Sequence, residues 1–245
     1  LPIYKPSENQ SLFMNCSEAL RANYHIDTIG ARNVEPELSD QIEVGVKSQL
    51  LEGRLASSIA LFDITKNNIV NIELIEGYRT ALEAYSQTSR GVDMDVTFQV
   101  TPDLNIIAAA SLIQAEITSG KNRGRLPEMV AETTASLYAH YRLNEHWELM
   151  GGTNYMGERR SYAIGLLLDE SQGGITVGEQ YFTMNPYTLI DVGVAYQFRL
   201  SGADARLQLW VNNVTDEYYL TSILGGARVN PAAGRTFMGR IGFDF

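Results

Sequence analysis

Arg206-Leu-Gln-Leu-Trp-Val-Asn-Asn-Val-Thr-Asp-Glu-Tyr-Tyr219, a loop, and then Arg235-Thr-Phe-Met-Gly-Arg-Ile-Gly-Phe-Asp-Phe245 decide the fold. In the second segment Phe237, Gly239, Ile241, Phe243 and Phe245 share one face, and Thr236, Met238, Arg240, Gly242 and Asp244 share the other. A period of two belongs to a strand and not to a helix. An outward aromatic with no polar tail behind it suits a strand whose outer face meets lipid. An amphipathic strand in a soluble sandwich would alternate in the same way.

The rest of the composition agrees with an all-β chain. Gly, Thr, Ser, Tyr and Asn punctuate the apolar positions, and no long helical pattern occurs in the 245 residues. A formal charge of −10 argues against a nucleic-acid partner, whose binding needs clustered Lys and Arg. The single cysteine, Cys16, excludes an internal disulfide scaffold. Leu1-Pro-Ile-Tyr-Lys-Pro6 does not read as a secretory leader. The most apolar run, Ile106-Ile-Ala-Ala-Ala-Ser-Leu-Ile113, is far short of the roughly 20 residues of a membrane helix. Membrane residence would therefore depend on strands, whose signal per segment is weaker.

Alternation predicts about ten strands. The first covers Ser11 to Leu20 and is followed by a long connection to Glu37. From Asp40 to Leu50, Gln41, Glu43, Gly45, Lys47 and Gln49 oppose Ile42, Val44, Val46 and Leu50. Arg54 to Thr65 is a strand with blurred faces, and a loop is expected from Lys66 to Ala84. The clearest pattern sets Val92, Met94, Val96, Phe98 and Val100 against Gly91, Asp93, Asp95, Thr97 and Gln99. Strands follow at Leu104 to Ile117, Met129 to Leu143, His146 to Tyr155 and Tyr187 to Phe198, ahead of the terminal pair; a loop is expected from Gly157 to Asn185.

The connections alternate in length. Leu51-Glu-Gly53, Thr101-Pro-Asp103, Asn144-Glu145 and Ser201-Gly-Ala-Asp204 are short, whereas 20–37, 66–84, 118–128, 157–185 and 217–234 are longer. Outer-membrane barrels have this asymmetry, with tight periplasmic turns and long external loops, and a sandwich has no reason to keep it. Beside the short turns or the chain end, on the apolar face, stand Phe98, Tyr141, Trp147, Tyr196, Phe198 and Phe243, a candidate interfacial girdle. The other face carries Glu43, Lys47, Asp93, Asp95, Glu132, His140, Arg142, Glu148, Asp191, Arg206 and Arg240. Such charges would need partners in a dry core but suit the wall of a wet or polar-plugged lumen.

No motif points to catalysis. His25, His140 and His146 lack metal-ligand spacing. Asp93 and Asp95 read as lining and not as a catalytic pair, because no third group converges on them in the sequence.

Tyr4-Lys-Pro-Ser-Glu-Asn-Gln-Ser-Leu-Phe13, Val34-Glu-Pro-Glu-Leu-Ser-Asp-Gln-Ile-Glu-Val-Gly-Val-Lys47, Leu61-Phe-Asp63, Ser89-Arg-Gly-Val-Asp93, Tyr187-Thr-Leu-Ile-Asp-Val-Gly-Val-Ala-Tyr196, Trp210 to Tyr219, and Gly234-Arg-Thr-Phe237 leading to Phe245 stand in a specific order. In that order they resemble the C-terminal half of the barrel of TonB-dependent outer-membrane receptors, above all ferric-siderophore receptors. The resemblance implies an antiparallel transmembrane β-barrel domain over residues 1–245, the C-terminal portion of a barrel of about 22 strands, here without the plug domain.

It further implies a Gram-negative outer-membrane location and no enzymatic activity. A ferric siderophore would be the transported ligand, with no covalently bound cofactor. TonB with its inner-membrane energising complex, the barrel-assembly machinery and outer-membrane lipid would be the partners.

Asn212, Asn213, Asp216 and Tyr218 match the family's strand-to-loop motif and read as structural. Phe243 and Phe245 match the C-terminal signal for barrel assembly. Ligand contacts are expected from the long loops, at Tyr78, Arg79, Arg159, Arg160, Tyr162, Tyr181 and Arg228, because Arg and Tyr can hold anionic chelates and cover their apolar faces. Two other readings stay open on sequence alone: a self-contained ten-stranded outer-membrane barrel acting as enzyme or pore, and a soluble β-sandwich binding module.

Overall fold

The short turns are built by their own side chains. At Thr101-Pro-Asp103 the hydroxyl of Thr101 accepts hydrogen bonds from the backbone N–H groups of Asp103 at 3.2 Å and Leu104 at 3.0 Å. At Asn144 the side-chain oxygen accepts from the N–H of His146 at 2.9 Å and of Trp147 at 3.0 Å. Short polar side chains that mimic a backbone acceptor close turns in this way. At Leu51-Glu-Gly53 the backbone itself is left-handed, with φ of 54°, 58° and 87°.

The computed structural model describes residues 2–22, 35–75, 78–169, 174–200, 202–224 and 228–244, of which 71–75, 78–83, 162–169, 174–181, 223–224, 228–229 and 244 by backbone alone. The strands are β1 (Ile3–Ser7), β2 (Gln10–Arg21), β3 (Glu37–Leu50), β4 (Leu55–Ile75), β5 (Tyr78–Gln99), β6 (Leu104–Ile117), β7 (Thr133–Arg142), β8 (Trp147–Met156), β9 (Arg159–Asp169), β10 (Gly174–Met184), β11 (Tyr187–Leu200), β12 (Ala203–Asn212), β13 (Leu220–Leu224), β14 (Arg228–Pro231) and β15 (Thr236–Asp244). Eleven of them form one antiparallel sheet in the order β1-β2-β3-β4-β5-β6-β7-β8-β11-β12-β15, while β9 with β10 and β13 with β14 form separate two-stranded ribbons. Among the described residues β1 and β15 stand at opposite ends of the sheet and do not pair, so this sheet does not close on itself as a ten-stranded barrel would.

The sheet contains the ten expected strands and one more, β1, paired with β2. Three expected loops are corrected. Residues 66–84 continue β4 and β5 as one long ladder from Leu55 opposite Phe98 to Ile75 opposite Tyr78. Residues 157–185 contain the ribbon β9–β10, and 217–234 contain β13–β14. The expected strand from Met129 begins instead at Thr133, because Met129 has a left-handed φ of 63° that breaks the pleat. Most of the connection near 20–37, with His25, lies outside the described residues.

Register assigns the two faces that the sequence left blurred. Val46 lies opposite Ile59 and Val44 opposite Leu61, so Leu55, Ser57, Ile59 and Leu61 share the apolar face. That face is open: Ile42 is 53% exposed, Leu61 54%, Leu209 50% and Ile241 54%. On β4 and β5 it ends at the ion pair of Arg90 with Asp63, 2.7 Å apart. From Leu55 to Asp63 the strand is about the length that spans hydrocarbon when tilted. At the turn end Trp147 and Tyr196 lie opposite one another with ring centroids 4.6 Å apart, and Phe198 stacks on Tyr196 at 5.7 Å.

The opposite face explains the blurring. Phe62 lies on it, opposite Gly91, and a Cβ on that glycine would sit 2.5 Å from the phenylalanine ring. Phe13 fills the gap at Gly45 in the same way, and Trp210 the gap at Gly193. Tyr138, opposite Gly152, meets Trp210 at 6.5 Å between ring centroids. Aromatic rings laid over cross-strand glycines therefore recur along an otherwise polar wall, covering backbone that glycine leaves bare.

Candidate functional site

The rim opposite the short turns is assembled around Asn213. This side chain is buried, with a left-handed φ of 52°, a conformation that Asn tolerates better than most residues. Its amide donates to the carbonyl of Glu217 at 2.9 Å, and its oxygen accepts from the N–H of Glu217 at 2.9 Å. Its own N–H donates to the carboxylate of Asp191 on β11 at 2.7 Å. Asp216, also left-handed, accepts from the N–H of Arg235 at 2.7 Å, and Asn212 donates to the hydroxyl of Thr236 at 3.1 Å. The loop is thereby pinned at both ends, while Tyr218 projects 76% exposed.

The foot of the β9–β10 ribbon is the other packed region of this rim. Ser161 is fully buried, Met184 is 2% exposed and Arg159 6% exposed. Arg159 donates to the carbonyls of Leu220 at 2.7 Å and Thr221 at 2.9 Å, and its guanidinium lies 5.6 Å from the centre of the Tyr187 ring. Tyr187 in turn packs against Tyr219 at 4.3 Å. Burial, then Tyr187 and Asp191, push the Tyr219 phenol above its ordinary range. At the outer end of β5, Tyr85 is pushed up by burial first and then by Glu128 and Glu37.

Beneath this rim the polar face is lined by paired groups. Glu148 is buried and held by Arg206, by His140 at 3.1 Å and by the Gln197 amide at 2.6 Å. Arg142 pairs with Asp103 at 2.7 Å and Arg199 with Asp204 at 3.0 Å. The Ser111 hydroxyl donates to Asp93 at 2.5 Å. A recess of about 460 Å³ runs from Asp93 and Asp95 across Ser136 and Asn154 to Tyr187. An open apolar face, a polar face on which several charges are paired, and a packed rim give the sheet two different sides and two different ends.

Residues 3–214 match the family model described as TonB dependent receptor-like, beta-barrel. The chain belongs to the TonB-dependent receptors. Among its relatives, the metal-pseudopaline receptor CntO of Pseudomonas aeruginosa is 31% identical over 95% of this chain and 31% of that protein. The ferric-pyoverdine 358 receptor of Pseudomonas putida is 24% identical over 91% of this chain and 26% of that protein. Among solved structures, the ferripyoverdine receptor of Pseudomonas aeruginosa superposes with a TM-score of 0.80 at 19% identity, covering 99% of this chain and 32% of that one. The chain thus spans between about a quarter and a third of the length of these proteins.

Within this receptor wall the expected ligand residues do not behave alike. Arg159, expected among the cargo contacts, is buried and donates to two backbone carbonyls. Arg160 is exposed and pairs only loosely with Glu158 at 3.2 Å. Tyr162 and Tyr181 are cross-strand partners in the β9–β10 ribbon, Tyr78 and Arg79 open β5 opposite Ile75 and Leu74, and Arg228 lies opposite Leu224; the placement of these five side chains is outside the described residues. Phe243 stands on β15 opposite Ala205, and Phe245 is outside the described residues.

Sequence reading missed Tyr187 and Tyr219 as a pair. The available signal was that Tyr187 shares the parity of Asp191 and Gln197, an aromatic on a polar face.

Proposed function

We propose that the chain is part of the wall of an outer-membrane receptor of a Gram-negative cell that takes up a bulky metal chelate, of the ferric-siderophore class, with energy delivered through TonB. The observation that carries this reading is the two-faced sheet with tight turns at one rim and two-stranded ribbons at the other. Relatives named for metal-pseudopaline and ferric-pyoverdine support the ligand class, since both names describe chelated metals. The uptake machinery is the TonB complex of the inner membrane, and the wall contributes no covalent chemistry.

Cargo meets the outer ribbons at Tyr78, Arg79, Arg160, Tyr162, Tyr181 and Arg228. Guanidinium groups pair with anionic chelates there, and phenol rings cover their apolar surface. Phe243 and Phe245 serve recognition by the barrel-assembly machinery as well as lipid contact.

The test is growth of a strain deleted for the intact gene on iron-limited medium supplied with a panel of purified ferric and other metal chelates. Loss of growth on one chelate, restored by the gene and abolished again without TonB, is the expected result. Undiminished uptake of every chelate in the deleted strain, with competing receptors also removed, would sink the reading.

A further inference from the structure

We propose that Arg159 is a latch that makes the two outer ribbons, β9–β10 and the segment carrying β13–β14, open and close as one body. Among the described residues the ribbons share no backbone ladder with each other or with the main sheet, so each could move alone if nothing tied them. Arg159 ties them. It stands at the first residue of β9, paired with Met184 at the last residue of β10, so it holds the ribbon where both of its strands leave the sheet. Its two terminal nitrogens reach successive carbonyls, Leu220 and Thr221, at the start of β13. A planar guanidinium can meet two adjacent acceptors at once, which an ammonium cannot do with the same geometry. The Tyr187 ring under the guanidinium adds a cation–π contact, and Tyr219, one residue before Leu220, packs on the same ring. The fork and the rings therefore grip the same short stretch, Tyr219 to Thr221, from two sides.

The neighbouring residue extends the tie in the other direction. The Arg160 carbonyl accepts from the N–H of Met129 at 2.8 Å, and the Gly157 N–H donates to Thr133 at 2.9 Å. Thr118 at the near end of that connection donates to Ser86 at 2.8 Å, and the Ser86 N–H donates to the Ser119 hydroxyl at 2.7 Å. Backbone bonds thus link the β5 extension to the 118–132 connection and on to the foot of β9, and the Arg159 side chain carries the linkage to β13. Among the described residues, Arg159 Nε is buried without a hydrogen-bond partner, so the two terminal nitrogens carry the tie.

The test is hydrogen–deuterium exchange on the intact receptor in detergent micelles, following peptides from 159–184 and from 214–231. In Arg159→Ala both peptides are expected to exchange about tenfold faster or more, as suits the loss of two hydrogen bonds to a charged donor. Peptides from β11 and β12 should be unchanged. Arg160→Ala, which removes only an exposed pair, should leave all of them as in the wild type. Arg159→Lys, which keeps the charge without the fork, should fall between wild type and Arg159→Ala.

If Arg159→Ala does not fold, the wild type still decides. When exchange is fast enough for every opening event to be labelled, the two ribbons should show a single shared opening rate. Acceleration confined to 159–184, a lysine variant equal to wild type, or two unrelated opening rates would each overturn the latch. None of these readouts involves cargo, so the latch stands or fails separately from the proposed uptake.

Discussion

Asn213 does at one position what a longer sequence motif would otherwise have to do. Its side chain closes a turn onto Glu217 at both the N–H and the carbonyl, and its backbone is left-handed. Glycine would keep that backbone but lose the bonds, and alanine would lose both. Asn213→Gly is therefore expected to ease local opening of 213–235 by about 1–3 kcal/mol and Asn213→Ala by somewhat more. The rate of limited proteolysis within that segment measures this, and an alanine variant as resistant as the glycine one would contradict the backbone argument.

Tyr219 makes a second prediction at this scale. Burial, then Tyr187 and Asp191, raise its folded pKa above the ordinary value of 10.0, so between the two values the folded form holds a proton that the unfolded chain releases. Its stabilising contribution is full below about pH 10 and is lost as pH rises through the folded value. Ultraviolet titration should show a late phenol that disappears in Tyr219→Phe.

The sequence shows Asn213 because Asn and Asp clusters mark turns. It does not tell Arg159 from its neighbour Arg160, because an Arg beside a loop looks the same whether its partner is an anion or two carbonyls.

At the scale of strands, period two was legible wherever one face was purely apolar, as on β5, β11 and β15. It failed on β4, where Phe62 and Ile64 occupy the polar face, and the cause lies on a neighbouring strand: Gly91 leaves the room that Phe62 fills. Alternation within one strand cannot report a gap in the next. The ribbons were hidden for a related reason, since β9 runs Arg159-Arg-Ser-Tyr-Ala-Ile-Gly-Leu-Leu-Leu-Asp169 with no alternation at all.

Two pairs of substitutions test the faces and the joints. Ile59→Arg, on the apolar face near mid-strand, is expected to cost about 2–4 kcal/mol in a lipid folding titration, and Ser58→Arg on the opposite face far less. Equal costs would refute the face assignment. Gly91→Ala would drive a methyl into the Leu112 carbonyl and the Phe62 ring and should cost about 1–3 kcal/mol. Gly239→Ala, whose added carbon meets only Leu209 at 3.5 Å, should be close to neutral in the same titration.

For the molecule as a whole, the division of labour between rim and wall predicts separable losses. Replacing residues 162–181 of the intact receptor with a tight turn should leave the barrel inserted and resistant to unfolding in detergent, because β9 and β10 lie outside the main sheet. Cargo binding should fall by an order of magnitude or more, measured by quenching of receptor fluorescence with each chelate of the growth panel. A barrel that fails to insert would mean that the ribbons take part in assembly.

The rings over glycine bear on how the polar face is lined. Phe13, Phe62 and Trp210 each occupy the space that a Cβ on the glycine opposite would take, and Tyr138 comes within 3.4 Å of that space at Gly152. Bulky rings and bare backbone thus share one layer, and a side chain at those glycines would displace the rings. The polar wall is therefore greasy in patches, at the points where its backbone would otherwise be bare.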